Sequence, residues 1–333
     1  MTTAAVRSVR LGETGIETTA IGFGCADLFR EPGSARRRRL LEAAYDEGIR
    51  HFDAAPMYGL GLVEEELGRF SVGKRGTLII ATKFGIEPAA AGRLIARAQA
   101  PIQYVVRKIT ATASPARPAA VDPRAGAIGA LLYAPVDYSV RAARASLERS
   151  LRRLGTDYID LLFLHDPPPG AMIADDIAAF LEASRAAGRI RAWGVAGESA
   201  SSMDVARRLT APVPVLQVRG DLFSRCEPSF PRDADALLLY GVIARPLGRI
   251  VAHVRSSAEV RRRWLEAVGA DCSRPDEVAN LLLADALRAN RHGTVLFSTT
   301  RAERIRTAAQ VERTASPAVD TFISLVKSEV AQS

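Results

Sequence analysis

The chain has 333 residues, 48% of them hydrophobic, and a formal net charge of +8. It is longer than an average domain, fits one α/β barrel and can bury a large core. No apolar run reaches the roughly 18 residues of a membrane span, and the basic residues are scattered along helical patterns beside glutamates with no nucleic-acid motif, which excludes those two partner classes. The first ten residues lack an apolar core followed by a cleavage site, so a cytoplasmic protein is expected. Cys25, Cys226 and Cys272 form no CxxC and read as reduced packing residues.

Short β-type runs alternate with helical patterns along the chain. Thr19-Ala-Ile-Gly-Phe-Gly24 is the first candidate strand. Arg36-Arg-Arg-Arg39 then opens a helix and reads as its solvated face rather than a polyanion site. Arg50-His-Phe-Asp53 is the second strand; His51 shares a face with Asp53 and belongs in the barrel interior. The third, Leu78-Ile-Ile-Ala-Thr82, ends just before Lys83. From 87 to 137 the chain is rich in Ala, Pro, Arg and Gly. A connection so long is a lid, a binding loop or disorder, and Gln103-Tyr-Val-Val-Arg-Lys-Ile109 reads as a short ordered element within it.

The fourth strand, Tyr158-Ile-Asp-Leu-Leu-Phe-Leu164, leads to His165. Next comes a helix in which Ile177, Phe180 and Leu181 share a face and Gly188 is the C-cap. Ala192–Ala196, Val213–Val218, Gly241–Ala244 and Thr294–Phe297 complete eight strands. Alternation of this kind predicts a parallel sheet, and eight repeats predict a (β/α)8 TIM barrel, with an open doubly wound sheet as the other topology. Residues 1–333 are expected to form a single barrel domain with a long insertion after strand three. After Pro317 an amphipathic stretch is expected to dock on its own barrel, with a partner as the other surface it could cover; oligomeric state stays open.

Asp53, Tyr58, Lys83 and His165 each follow a short apolar run, where barrel strands deliver side chains into a shared pocket. An acid, a phenol, an amine and an imidazole together suit proton transfer to a carbonyl oxygen. An unperturbed phenol, with a pKa near 10, holds its proton too tightly to be an ideal acid at neutral pH. The ammonium of Lys83, held by Asp53, is expected to lower the Tyr58 pKa, while His165 donates to the developing oxyanion. Alone, each has a plainer reading: a turn cap, an amphipathic packing residue, a surface lysine, a satisfied core histidine. Their joint occurrence at successive strand ends carries the signal.

Asp53-Ala-Ala-Pro-Met-Tyr-Gly59, continued by Val63-Glu-Glu-Glu-Leu-Gly68, resembles the aldo-keto reductase D-x-A-x-x-Y-G string. Leu147 to Asp166 is similar to the family's second signature. The resemblance runs from about Leu11 to Val311, apart from 87–137. It implies a barrel that binds a nicotinamide cofactor across its C-terminal mouth, and the lack of G-x-G-x-x-G after a strand agrees. It also implies cofactor-binding roles for Gln217 at the nicotinamide amide, Arg245, Pro246, Leu247 and Gly248 along the pyrophosphate, and Ser298, Thr299, Thr300 and Arg304 at the adenosine 2′-phosphate. Arg304 makes NADP(H) the expected cofactor, with a solvated basic helix as the plainer reading of it.

Three departures stand out. Ala196-Gly197 replaces the Ser-Asn that binds the carboxamide, Gly220 replaces the aromatic that stacks on the ring, and Thr307-Ala308 replaces a polar pair near the adenine. Glu198, Arg219 or Asp221 are candidates to compensate. The leading reading is an NADP(H)-dependent oxidoreductase that interconverts a small-molecule carbonyl (aldehyde, ketone or sugar) and an alcohol, with Tyr58 as general acid/base. A cofactor-binding sensor or regulatory barrel with little turnover is the alternative, and a lyase using Lys83 in a Schiff base is a third.

Overall fold

Eight short runs of apolar and β-branched residues pair side by side in a closed parallel barrel. The computed structural model describes residues 6–97, 131–173, 176–313 and 316–331. The barrel strands are β3 (Ile21–Gly24), β4 (His51–Asp53), β5 (Ile79–Phe84), β6 (Ile159–His165), β7 (Ile190–Gly197), β8 (Val215–Arg219), β9 (Leu237–Tyr240) and β10 (Thr294–Phe297). β10 pairs with both β3 and β9, which closes the ring. Preceding it, β1 (Ser8–Arg10) and β2 (Glu17–Thr19) form an antiparallel hairpin whose turn buries Leu11 and Ile16 beneath the barrel with Ile79, Leu161 and Val215.

The seventh strand corrects the sequence expectation. It is Leu237–Tyr240, not Gly241–Ala244. Gly241 has φ +68, which turns the backbone out of the extended region, and Ala244 already opens a helix. The first expected run is also divided: Thr19 belongs to β2 and Ile21–Gly24 to β3.

Helices cover the outside: α1 (Ser34–Asp46), α2 (Leu62–Ser71), α3 (Ala90–Arg97), α4 (Val140–Leu154), α5 (Ile177–Ala186), α6 (Ser199–Arg208), α7 (Ala244–Val254), α8 (Ala258–Val268), α9 (Pro275–Ala289), α10 (Ala302–Gln310) and α11 (Ser316–Leu325). Gly188 lies just past α5 with φ +71, the left-handed stop its position suggested. α11 docks on α8 and α9 of its own barrel and buries Val319 and Phe322, as its amphipathic pattern predicts. Within Arg36–Arg39 the solvated-face reading fails at one residue. Arg37 is buried, paired with Glu66 at 3.3 Å and stacked over the Phe29 ring. Cys25 and Cys272 are buried thiols, whereas Cys226 is exposed rather than packed. Among the described residues no helix is long and apolar enough to cross a membrane.

Strand geometry places the site. Successive side chains of a strand point to opposite faces, so alternate residues line the barrel interior. Ile79 and Ala81 on β5, and Leu161 and Phe163 on β6, belong to the interior cluster; Ile80, Leu162 and Leu164 pack outward in the larger core. Continuing the interior column to the C-terminal ends brings up Lys83 and His165, with Asp53 and Gln217 on the same face of their strands.

Only the base of the long insertion is described. Ala89 N–H donates to the Leu132 carbonyl, Ala134 N–H to Glu87 and Asp137 N–H to Gly85, so the two arms are tied where they leave the barrel. α3 packs against the turn that carries Tyr58. The expected element from Gln103 to Ile109 lies outside the described residues.

Candidate active site

Asp53, Lys83 and His165 arrive on neighbouring strands. Asp53 sits opposite Ala81 on β5, and Lys83 lies one interior step further along β5, opposite Phe163. Lys83 Nζ donates to Asp53 Oδ1 at 2.8 Å, to Asp53 Oδ2 at 2.7 Å and to the Ala54 carbonyl at 2.9 Å. Both side chains are buried. With all three ammonium hydrogens engaged, the charge pair is closed within the barrel, as a buried ion pair requires. Gln217 joins it: its Nε2 donates to Asp53 Oδ1 at 2.9 Å, while its Oε1 is buried without a hydrogen-bond partner.

Tyr58 comes from the loop after β4. Gly59, Leu60 and Gly61 follow it with φ of 55°, 55° and 95°, so the chain coils through three left-handed residues before α2. Glycines take two of these positions without penalty; Leu60 is the strained one. The ring of Tyr58 lies 5.1 Å from Lys83 Nζ and 5.9 Å from the His165 ring, edge-on to the latter. His165 is held from behind, because Tyr138 hydroxyl donates to its carbonyl at 2.7 Å. Tyr138 was not marked by the sequence reading; it sits just after the insertion, and no motif flags it.

The electrostatics correct one expectation. Burial, then the charge of Asp53, then Tyr240, Cys25 and Asp166, hold the Tyr58 phenol well above its ordinary 10.0. Lys83 was expected to lower it. Its ammonium is instead matched by Asp53, and the phenol meets the carboxylate's field along with the cation's. Cys25, at the same end of β3, is a thiol pushed far up by burial and by Asp53, and so stays protonated. His51 lies in the interior below, as expected, with burial lowering its pKa to about 4.

At the rim, strand ends carry a polar group that sequence reasoning named only in part. Arg219 Nε donates to Glu198 at 2.8 Å, Tyr240 hydroxyl donates to Glu198 at 3.4 Å, and the Arg219 guanidinium lies 5.3 Å from the Tyr240 ring centroid. Asp221 adds its charge near Arg219 but makes its hydrogen bonds elsewhere. It is buried and accepts from Phe223 N–H, Ser224 N–H and Ser224 hydroxyl, which makes it a turn residue. A Cβ on Gly220 would fall 2.6 Å from the Leu239 Cβ, so no aromatic fits there without moving β9. A Cβ on Gly197 would lie 3.2 Å from Asp166.

The residues expected along the pyrophosphate occupy the first turn of α7. Pro246 is buried, Leu247 packs on the core, and Gly248 faces open space. Arg245 Nη1 reaches Ser224 Oγ at 3.3 Å. After β10, Ser298 hydroxyl donates to the Gly24 carbonyl, Thr299 Oγ1 accepts from Arg301 N–H, and Thr300 is exposed. Arg304, in the first turn of α10, is half-exposed and paired with Asp276 at 2.7 Å. Thr307 hydroxyl turns back to the Glu303 carbonyl of its own helix. Among the described residues no cluster of His, Cys, Asp and Glu is suited to a metal.

The family model for the aldo/keto reductases matches residues 20–232, which span this tetrad and the first six barrel strands. The chain belongs to the aldo-keto reductase family. A D-threo-aldose 1-dehydrogenase from a Pseudomonas species is 35% identical over 189 residues, covering 54% of this chain and 50% of that protein. A pyridoxal 4-dehydrogenase from Microbacterium luteolum is 37% identical over 160 residues, covering 47% and 42%. The chain thus spans about half the length of these curated relatives or less. Among solved structures, a glycerol dehydrogenase from Gluconobacter oxydans shares the fold at TM-score 0.68 and 20% identity, over 98% of this chain and 96% of that one. An aldo-keto reductase from Klebsiella pneumoniae in complex with NADPH has TM-score 0.61 and 21% identity, over 97% and 95%.

Proposed function

We propose that this aldo-keto reductase is an NADP(H)-dependent oxidoreductase that interconverts a small carbonyl compound (an aldehyde, ketone or sugar) and its alcohol, with Tyr58 as general acid/base. The observation that carries this reading is the placement of the Tyr58 phenol over the Lys83–Asp53 pair and edge-on to His165. A phenol held well above its ordinary pKa keeps its proton throughout the neutral range. It is therefore always loaded as an acid for reduction, and the reverse reaction gains from higher pH. His165, steadied by Tyr138, orients the carbonyl oxygen beside it.

The residues present suit a nicotinamide nucleotide. The unpartnered Oε1 of Gln217 is an acceptor beneath the pocket that a carboxamide N–H would satisfy. Ser298, Thr299, Thr300 and Arg304 supply hydroxyls, main-chain N–H groups and a guanidinium at a helix start, which suit an adenosine phosphate. Arg245 to Gly248, in the first turn of α7, would run along the pyrophosphate. When bound, the nucleotide supplies or accepts hydride at the carbonyl carbon. Similarity to an aldose 1-dehydrogenase and a pyridoxal 4-dehydrogenase supports a carbonyl or sugar substrate.

The test is NADPH consumption against a panel of aldoses, aromatic aldehydes and ketones, with wild type and Tyr58→Phe. Loss of the acid is expected to lower kcat/KM by about a hundred- to ten-thousand-fold with the NADPH dissociation constant unchanged. Turnover by Tyr58→Phe within a few-fold of wild type would remove the assignment. The filled space at Gly220 and the Arg219–Glu198 pair at the rim favour one second reading, a cofactor-binding barrel with little turnover. Tight NADPH binding with no Tyr58-dependent reduction of any carbonyl would select it.

A further inference from the structure

We propose that Asp276 is a second reader of the cofactor's adenosine ribose, and that it moderates this site's preference for NADPH over NADH. The inference rests on the phosphate site proposed above for Arg304, and it concerns a residue that no motif singles out. α9 runs down to the start of β10, and α10 begins after the end of β10, so both helices open at the C-terminal mouth. Asp276 is the second residue of α9 and Arg304 the third of α10, and their side chains meet at 2.7 Å.

Two chemistries for recognising this ribose are general to dinucleotide sites. A carboxylate accepts from the 2′-hydroxyl of NAD, and an arginine takes the 2′-phosphate of NADP. Here one ion pair holds both. Neither partner is buried, with 44% of the arginine side chain and 58% of the aspartate exposed, so the pair is open to exchange with solvent or ligand. A 2′-phosphate must share Arg304 with Asp276 and bear the repulsion of that carboxylate. A 2′-hydroxyl carries no charge and meets an acceptor instead.

The surrounding charges do not overturn this balance. Arg306 faces Glu47 at 3.9 Å, Arg274 faces Glu277 at 3.8 Å, and Glu303 adds an acidic group in the first turn of α10. Arg301 is exposed at the N-cap of α10 and is the nearest further cation in sequence. Of these cations Arg304 is the one that Asp276 faces directly, its carboxylate lying 2.7 Å from the guanidinium.

The experiment is a fluorescence titration of the full chain with NADPH and with NADH, for wild type, Asp276→Asn and Arg304→Gln. Asp276→Asn removes the charge and keeps the shape. It is expected to raise the ratio of the NADH to the NADPH dissociation constant by about three- to tenfold, the scale of a charge contact at an exposed site. Arg304→Gln is expected to bring that ratio toward one. Both residues are exposed, and thermal unfolding of each variant verifies that the fold is kept. An unchanged ratio in Asp276→Asn, with the ratio lost in Arg304→Gln, would overturn the role of Asp276 and leave the phosphate site standing. An unchanged NADPH affinity in Arg304→Gln, or no binding of either nucleotide to wild type, would remove the phosphate site itself and the role of Asp276 with it.

Discussion

The Lys83–Asp53 pair explains why this pocket tolerates charge so deep in a barrel. Each charge is taken out of water, and its cost is offset only because every ammonium hydrogen and both carboxylate oxygens find partners. The carboxylate is also shared with Gln217, so one anion anchors both the Lys83 ammonium beside the Tyr58 ring and the Gln217 amide. Removing one member should therefore harm the fold more than removing both. Lys83→Met is expected to destabilise by about 3–5 kcal/mol, the usual cost of leaving a buried charge unpaired. The double variant Asp53→Leu/Lys83→Met should recover much of that loss. Denaturant unfolding of the two single variants and the double variant measures the coupling. Additive losses would show that the two groups do not depend on each other, contrary to the geometry.

At the scale of elements, two of the three departures noted in the sequence, Ala196-Gly197 and Gly220, fall at the rim of β7 and β8, and the one at Gly220 is built into strand packing. Gly220 follows β8 against Leu239 of β9, so its smallness lets two strands lie close. Restoring an aromatic there should not restore a stacking contact. Gly220→Tyr is expected to cost about 1–3 kcal/mol through overpacking, with no gain in NADPH affinity, as read from denaturant midpoints and nucleotide titration. Tighter binding at unchanged stability would mean that the position is simply vacant. The same region shows what could be read from sequence. Asp53, Lys83 and His165 were legible because each closes a short apolar run at a strand end, and Gln217 was legible only through the family resemblance. The seventh strand was not, because Leu237-Leu-Leu-Tyr240 and Gly241-Val-Ile-Ala244 are adjacent apolar runs that periodicity alone does not separate. Tyr138, the Glu198–Arg219 pair and the Asp276–Arg304 pair were missed or half-seen for another reason. They join successive elements 21 to 28 residues apart in the chain, and their partners follow from the side-by-side packing of neighbouring barrel units rather than from any local pattern.

For the whole molecule, the buried interior makes stability depend on pH through His51. Its ring is fully enclosed, with Nδ1 at 3.2 Å from Thr18 Oγ1 and Nε2 without a partner. Burial is the main cause that lowers its pKa from 6.5 to about 4; Asp53 and Asp160 oppose it, and Lys83 adds to it. The folded chain therefore keeps this histidine neutral while the unfolded chain takes up a proton below pH 6.5. Where the unfolded state binds more protons, stability falls as pH falls. The loss belongs to the window from 6.5 down to about 4 and is complete below it. Its size is roughly 3 kcal/mol in full and about 2 kcal/mol by pH 5. A second contribution sits lower. For Glu329, burial is outweighed by hydrogen bonds from His253 and Trp264 and by Arg263, so its pKa lies below its ordinary 4.5. That depressed carboxylate ties the C-terminal segment to α7 and α8, and its stabilisation is lost only as pH falls through the lowered value. The Glu329 contribution lies below pH 5, so it does not mask the His51 contribution there. Urea unfolding of wild type should weaken between pH 7 and pH 5 by the amount given, and His51→Gln should flatten that slope whatever its stability at pH 7. A variant with the same slope as wild type would assign the loss to groups other than His51.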